Sequence, residues 1–135
     1  MYTLLPHCVH DKIRLSIHHG VKVNQVHFHC AKAGQNGPVV AWFFDQDKQA
    51  LGEPTDFNGL AFEGYLTNDD MFEGIFCGGA KIPAADPNDP DIQIGGVLVN
   101  NIAALYQAMK EGLIYLNVHT VANGPGEVRG QIFVH

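Results

Sequence analysis

The chain has 135 residues, enough for one domain with a real core, and 46% hydrophobic against 16% charged content argues for a packed body over disorder. A formal charge of −6, with eight Lys and Arg scattered from Lys12 to Arg129, leaves no basic stripe that could track phosphates, which excludes nucleic acid as a partner. No run reaches the length of a membrane span and MYTLLPHCVHDK lacks the pattern of a signal peptide, so the chain reads as soluble and unexported unless a leader was trimmed away.

Fifteen glycines and seven prolines promise many turns and favour β structure. Taken in chain order, Ile13 to His18 alternates Ile13, Leu15 and Ile17 against Arg14, Ser16 and His18, the period of a half-buried strand. Val26, Phe28 and Cys30 then alternate with His27 and His29 in a second strand. The loop AKAGQNGP leads into VVAWFF, an apolar run of strand length, and NGLAFEGYLT reads as a further strand interrupted by Gly59 and Gly64. Gly78 to Asp91, rich in proline and acid, reads as a loop. Asn101 is placed to cap a helix in which Ile102, Leu105, Tyr106 and Met109 share a face, with Gly112 as its stop. LIYLNVHT, the turn at ANGPGE and VRGQIFVH form a closing hairpin. These elements predict a single all-β domain over residues 1–135: a Greek-key sandwich with one short helix before the last hairpin.

Several chemistries fall away at once. Cys8, Cys30 and Cys77 are of the wrong number for a disulfide framework and form no CxxC pair; buried free thiols are expected, with one bridge as the maximum. Ser16, the only serine, lies in no GxSxG setting, and no phosphate-cradling glycine motif occurs. DPNDPD offers oxygens suited to calcium but lacks the glycine and terminal glutamate of a calcium loop, so it reads as a solvated turn.

Residues two apart on a strand point the same way, which sets His27 and His29 side by side with Cα atoms roughly 6.5 Å apart. A metal with bonds of about 2 Å fits between such a pair. The alternation that sends Val26, Phe28 and Cys30 to the core turns this pair outward. In the closing hairpin Ile114, Leu116 and Val118 take the apolar register, leaving Tyr115, Asn117 and His119 on the other. Val128, Ile132 and Val134 share a face of the last strand, with Arg129, Gln131 and Phe133 opposite. If the two strand pairs lie side by side, His27, His29, His119 and Arg129 meet on one outer surface. Against this stands the plain reading that surface histidines are ordinarily just solvated and that an HxH pair is only modestly specific. His7, His10, His18, His19 and His135 have no comparable geometry, and His18 and His19 fall on opposite faces.

VHFHCAKAGQNGPVVAWF, GYLTNDDM and LIYLNVHTVANGPGEVRGQI together resemble the chordin (CHRD) domain, shared by the animal inhibitor of bone morphogenetic proteins and many bacterial proteins. The closing NVHT and PGEVRGQ are its most specific part, and the resemblance runs from Asp11 to the end. Such domains are often extracytoplasmic and usually have one or two further strands at the start; the resemblance therefore implies a trimmed domain or an edge supplied by a partner chain, in a homo-oligomer or by strand donation. It also implies a fold similar to copper–zinc superoxide dismutase. On that likeness His27 and His29 match the copper HxH pair, His119 the late copper ligand and Arg129 the arginine that steers superoxide. No histidine lies between His29 and His119, so the bridging ligand and the zinc histidines have no counterpart.

Three functions follow as expectations. The first is a non-enzymatic CHRD binding module that holds a transition metal, copper ahead of zinc, on His27, His29 and His119. The second is a structural or protein-interaction domain without metal. The third is a copper-dependent redox enzyme in which Arg129 guides a small oxidant.

Overall fold

A computed structural model describes residues 22–43, 55–56, 66–88, 92–126 and 128–134. The expected strand at Ile13 to His18 lies outside the described residues, as does the strand reading of NGLAFEGYLT up to residue 65. So do Cys8 and five of the histidines: His7, His10, His18, His19 and His135.

The protein is an all-β sandwich with, among the described residues, one short α-helix and a 3-10 turn at Asn68–Asp70. Its strands are β1 (Lys22–Cys30), β2 (Val39–Trp42), β3 (Thr55–Asp56), β4 (Ile75–Cys77), β5 (Ala80–Ile82), β6 (Ile92–Ile94), β7 (Val97–Val99), β8 (Ile114–Thr120) and β9 (Val128–Gln131), with helix α1 (Ile102–Lys110) before β8. One sheet runs β2-β1-β8-β9, with β3 also paired to β1; β4–β7 and β5–β6 are two-stranded antiparallel ladders. The sequence neighbours β8 and β9 form the expected hairpin, pairing Tyr115 with Gln131 and Asn117 with Arg129. β1, from the start of the described chain, lies directly against β8, pairing His27 with Asn117 and His29 with Tyr115.

Register follows burial. Val23 and Val26 are both buried although three residues apart, because the pairing of β1 with β8 slips between Val23 and Gln25 and restores the apolar phase. From there Val26, Phe28 and Cys30 face the core with Ile114, Leu116 and Val118 of β8. Cys77 and Val99 of the β4–β7 ladder meet this face from the other layer, and Leu105, Ala108 and Met109 of α1 complete the same cluster.

The helix forms where its signals place it. Asn101 accepts a hydrogen bond from the Ala104 amide on its side chain, and Gly112, with φ 67°, ends the run in a conformation that costs glycine nothing. Among the described residues no helix is long and apolar enough to cross a membrane.

Two expectations are corrected. The segment from Gly78 to Asp91 is not all loop, since Ala80–Ile82 pairs with Ile92–Ile94 in a ribbon that begins right after the turn at Gly78 and Gly79. Cys30 and Cys77 are not free thiols: a disulfide joins them, with Cα atoms 5.4 Å apart, and so fastens β1 to β4 across the sandwich. Both are buried, as a free-thiol reading also requires, so burial alone could not tell the two states apart.

Candidate metal centre

The face of β1 and β8 turned away from the core carries the histidines. His27 and His29 stand two apart on β1, and His119 comes from the far end of β8, next to Gln25 in the register. Their rings converge: the His27 centroid lies 4.6 Å from that of His29 and 4.5 Å from that of His119, with 6.2 Å between His29 and His119. One ring nitrogen from each can be chosen so that all three lie within 4.8 Å of one another. Strand alternation thus unites the residues that the sequence nominated.

The expectation of an outer surface needs correction. The imidazoles do point away from the apolar core, but His27 is only 4% exposed, and Tyr115 and Asn117 on the same face are buried too. Side chains and loops lie over this face. Trp42, opposite His27 on β2, meets it edge to face at 5.2 Å and in turn packs on Phe72; Tyr115 stacks on His29 at 4.9 Å, nearly parallel.

Two loop carbonyls set which nitrogens face inward. The Gly37 carbonyl lies 2.7 Å from His29 Nδ1 and the Gly124 carbonyl 2.7 Å from His119 Nδ1. A carbonyl only accepts, so each Nδ1 carries the hydrogen and each neutral ring keeps its lone pair on Nε2. In His27 the roles reverse, because Nε2 donates to the Gln25 amide oxygen at 3.4 Å and the lone pair falls on Nδ1. The atoms left over, His27 Nδ1, His29 Nε2 and His119 Nε2, are all buried and have no hydrogen-bond partner among the described residues. Three lone pairs without a donor, gathered in one place, are an expensive arrangement for a purely structural cluster.

Burial shifts both histidines of β1. Burial, reinforced by His29 and His119 close by, pushes the His27 pKa down to about 3, so the ring is neutral at ordinary pH. Burial also lowers the His29 pKa, with the charges of His119 and Arg129 adding to it and the Gly37 hydrogen bond opposing.

Arg129 reaches the same face but is engaged there. Its guanidinium donates to Asn36 Oδ1 at 2.9 Å and to the Gln35 carbonyl at 2.6 Å, and lies 3.7 Å from the centroid of the Tyr115 ring. It ties β9 to the loop between β1 and β2, whose Gly37 holds His29. Tyr115 helps, accepting from the Gly37 amide on its hydroxyl at 3.2 Å. Gly37 itself tolerates no side chain, since a Cβ there would overlap the Cys30 carbonyl. The roles of Gly37, Gly124, Trp42 and Gln25 escaped the sequence reading. The two NGP turns, Asn36-Gly37-Pro38 and Asn123-Gly124-Pro125, were the available signal: each supplies from its glycine the carbonyl that orients one histidine.

The calcium alternative stays unsupported. Asp86 accepts from the backbone and side-chain nitrogens of Asn88, the bonds of a local turn that hold its carboxyl below the usual range. Asp89 and Asp91 lie outside the described residues.

The three donors fit a transition metal. Imidazole nitrogen suits copper and zinc, and second-shell carbonyls on the distal nitrogens are the usual device for aiming such ligands. Comparison with known proteins agrees on family and is silent on chemistry. No curated protein and no solved structure matches the chain significantly. The family model described as the CHRD domain matches residues 9–132. With nearly its whole length covered by that match, the chain belongs to the CHRD domain family.

Proposed function

We propose that this CHRD domain is a binding module for a transition metal, copper ahead of zinc, held by His27 Nδ1, His29 Nε2 and His119 Nε2. The observation that carries the reading is the set of three buried, unpartnered nitrogens on one face, each left bare because the other nitrogen of its ring is used by Gln25, Gly37 or Gly124. A hydrogen-bonded histidine cluster of structural purpose would spend both nitrogens of each ring. Bound there, a metal supplies the three missing partners.

Trp42 gives a direct readout, being the only tryptophan and 5.2 Å from His27. Titration with copper should quench its emission with an endpoint at one ion per chain. In His27→Ala and His119→Ala the affinity should fall by more than about 100-fold, beyond the usual cost of losing a mere second-shell partner. Equal uptake by wild type and both variants would end the proposal.

A second reading, a protein-interaction domain without metal, draws on a different region. Phe76 and Leu98 pair across β4 and β7 and are 49% and 40% exposed, an apolar pair facing away from the core. Failure of a folded wild type to take up any metal would favour it.

A further inference from the structure

The metal-binding reading leaves open which ion the site prefers, and donor charge, donor number and neighbouring charge all bear on it. Resting on that reading, we propose that the three-histidine centre selects copper(I) over copper(II) and zinc(II), which makes the domain a cuprous-ion module.

Donor charge comes first. The cluster consists of three histidines, with no thiolate or carboxylate among the described residues that gather with them. Neutral donors leave an ion's full charge on the site. The cost of holding that charge away from water rises with its square, so a divalent ion is penalised about four times as heavily as a monovalent one. His27 is buried, His29 and His119 are half-buried, and the rings of Trp42 and Tyr115 stand against the cluster, so less solvent is at hand to spread the charge than on an open surface.

Donor number points the same way. Copper(II) prefers a tetragonal set and zinc on three histidines needs a water as its fourth ligand, whereas copper(I), with a filled d shell, is satisfied by three donors. The site presents three nitrogens that have no other partner among the described residues.

Arg129 adds a fixed positive charge. Its guanidinium lies against the Tyr115 ring on which His29 stacks, which sets a positive charge beside the cluster. A divalent ion is repelled by that charge more than a monovalent one. Arg129 in this account is a positioning and selectivity residue: it fastens the loop that aims His29 and it biases the site toward the lower charge.

The experiment is a pair of competition titrations on the full chain, copper(I) under anaerobic conditions against a cuprous chelator, copper(II) and zinc(II) against divalent chelators. Copper(I) should bind at least roughly 1,000-fold more tightly than copper(II), which for a one-electron couple raises the potential by about 180 mV. In Arg129→Gln the ratio should shrink by roughly threefold or more, while Arg129→Lys, which keeps the charge, should preserve it. Copper(II) or zinc(II) binding as tightly as copper(I) would overturn the selectivity and leave the metal centre standing. No binding of any of the three would overturn both.

Discussion

The two faces of the β1–β8 pair are built from the same strands, one fully buried and the other partly buried with His29 and His119 half-exposed, yet they do opposite things. One face sets Val26, Phe28 and Cys30 against Ile114, Leu116 and Val118, apolar groups that gain by leaving water. The other sets His27 and His29 against Asn117, Tyr115 and His119, polar groups that lose hydration and recover only part of it in hydrogen bonds. The first face makes the fold, and the second draws on the stability the first provides. The three ring nitrogens on that face with no hydrogen-bond partner among the described residues are the observation on which the metal-binding proposal rests.

This contrast can be broken from the core side first. Phe28 is fully buried and meets Phe43 edge to face at 5.7 Å, so Phe28→Ala should lower unfolding free energy by about 4 kcal/mol in denaturant titration. Removal of the disulfide in the Cys30→Ala, Cys77→Ala double variant comes next. The bond closes a loop over a sequence separation of 47, and its loss should cost about 3 kcal/mol, read as a lower denaturation midpoint and matched by wild type under reductant. A loss under reductant in wild type but none in the double variant would place the effect elsewhere.

The polar face has the opposite signature with pH. The unfolded chain protonates His27 near the ordinary 6.5, whereas the folded ring resists until about 3, so between those values the unfolded state binds more protons. Stability of the metal-free protein should therefore be fully present above pH 6.5 and fall as pH drops, with a slope approaching about 1.4 kcal/mol per pH unit from this one group. Replacing His27 by leucine removes that slope contribution. It should also raise metal-free stability at neutral pH by about 1 kcal/mol, because a buried unpaired nitrogen is replaced by an apolar side chain, while metal uptake is lost. Stability unchanged or lowered in His27→Leu would mean that the histidine earns its place by packing.

The same contrast explains what could be read in the chain beforehand. β1, β8, β9 and α1 were legible because each carries a period long enough to declare itself: HFHC and IYLNVH alternate, and Ile102, Leu105 and Met109 repeat at helical spacing under an asparagine cap. β4 to β7 were not, since strands of three residues flanked by paired glycines, Gly78-Gly79 and Gly95-Gly96, are too short to show a period. Alternation correctly assigned His27, His29 and His119 to one face. It could not say that Trp42, Tyr115 and the two NGP turns cover that face, because what lies over a strand is decided by elements distant in sequence. The Cys30–Cys77 bond was hidden for the same reason: its partners sit in different layers. Arg129 was placed on the right face, but its hold on Gln35 and Asn36 depends on a loop more than ninety residues upstream.

Metal binding in this site turns on three particular nitrogens, and nitrogen-resolved NMR of the histidine rings sees them one by one. The metal-free protein should show His29 and His119 with hydrogen on Nδ1 and His27 with hydrogen on Nε2. One equivalent of copper(I) should then move the signals of His27 Nδ1, His29 Nε2 and His119 Nε2 together. Rings in other tautomers, or nitrogens that stay where they were when the ion is added, would show that these three atoms do not form a metal site.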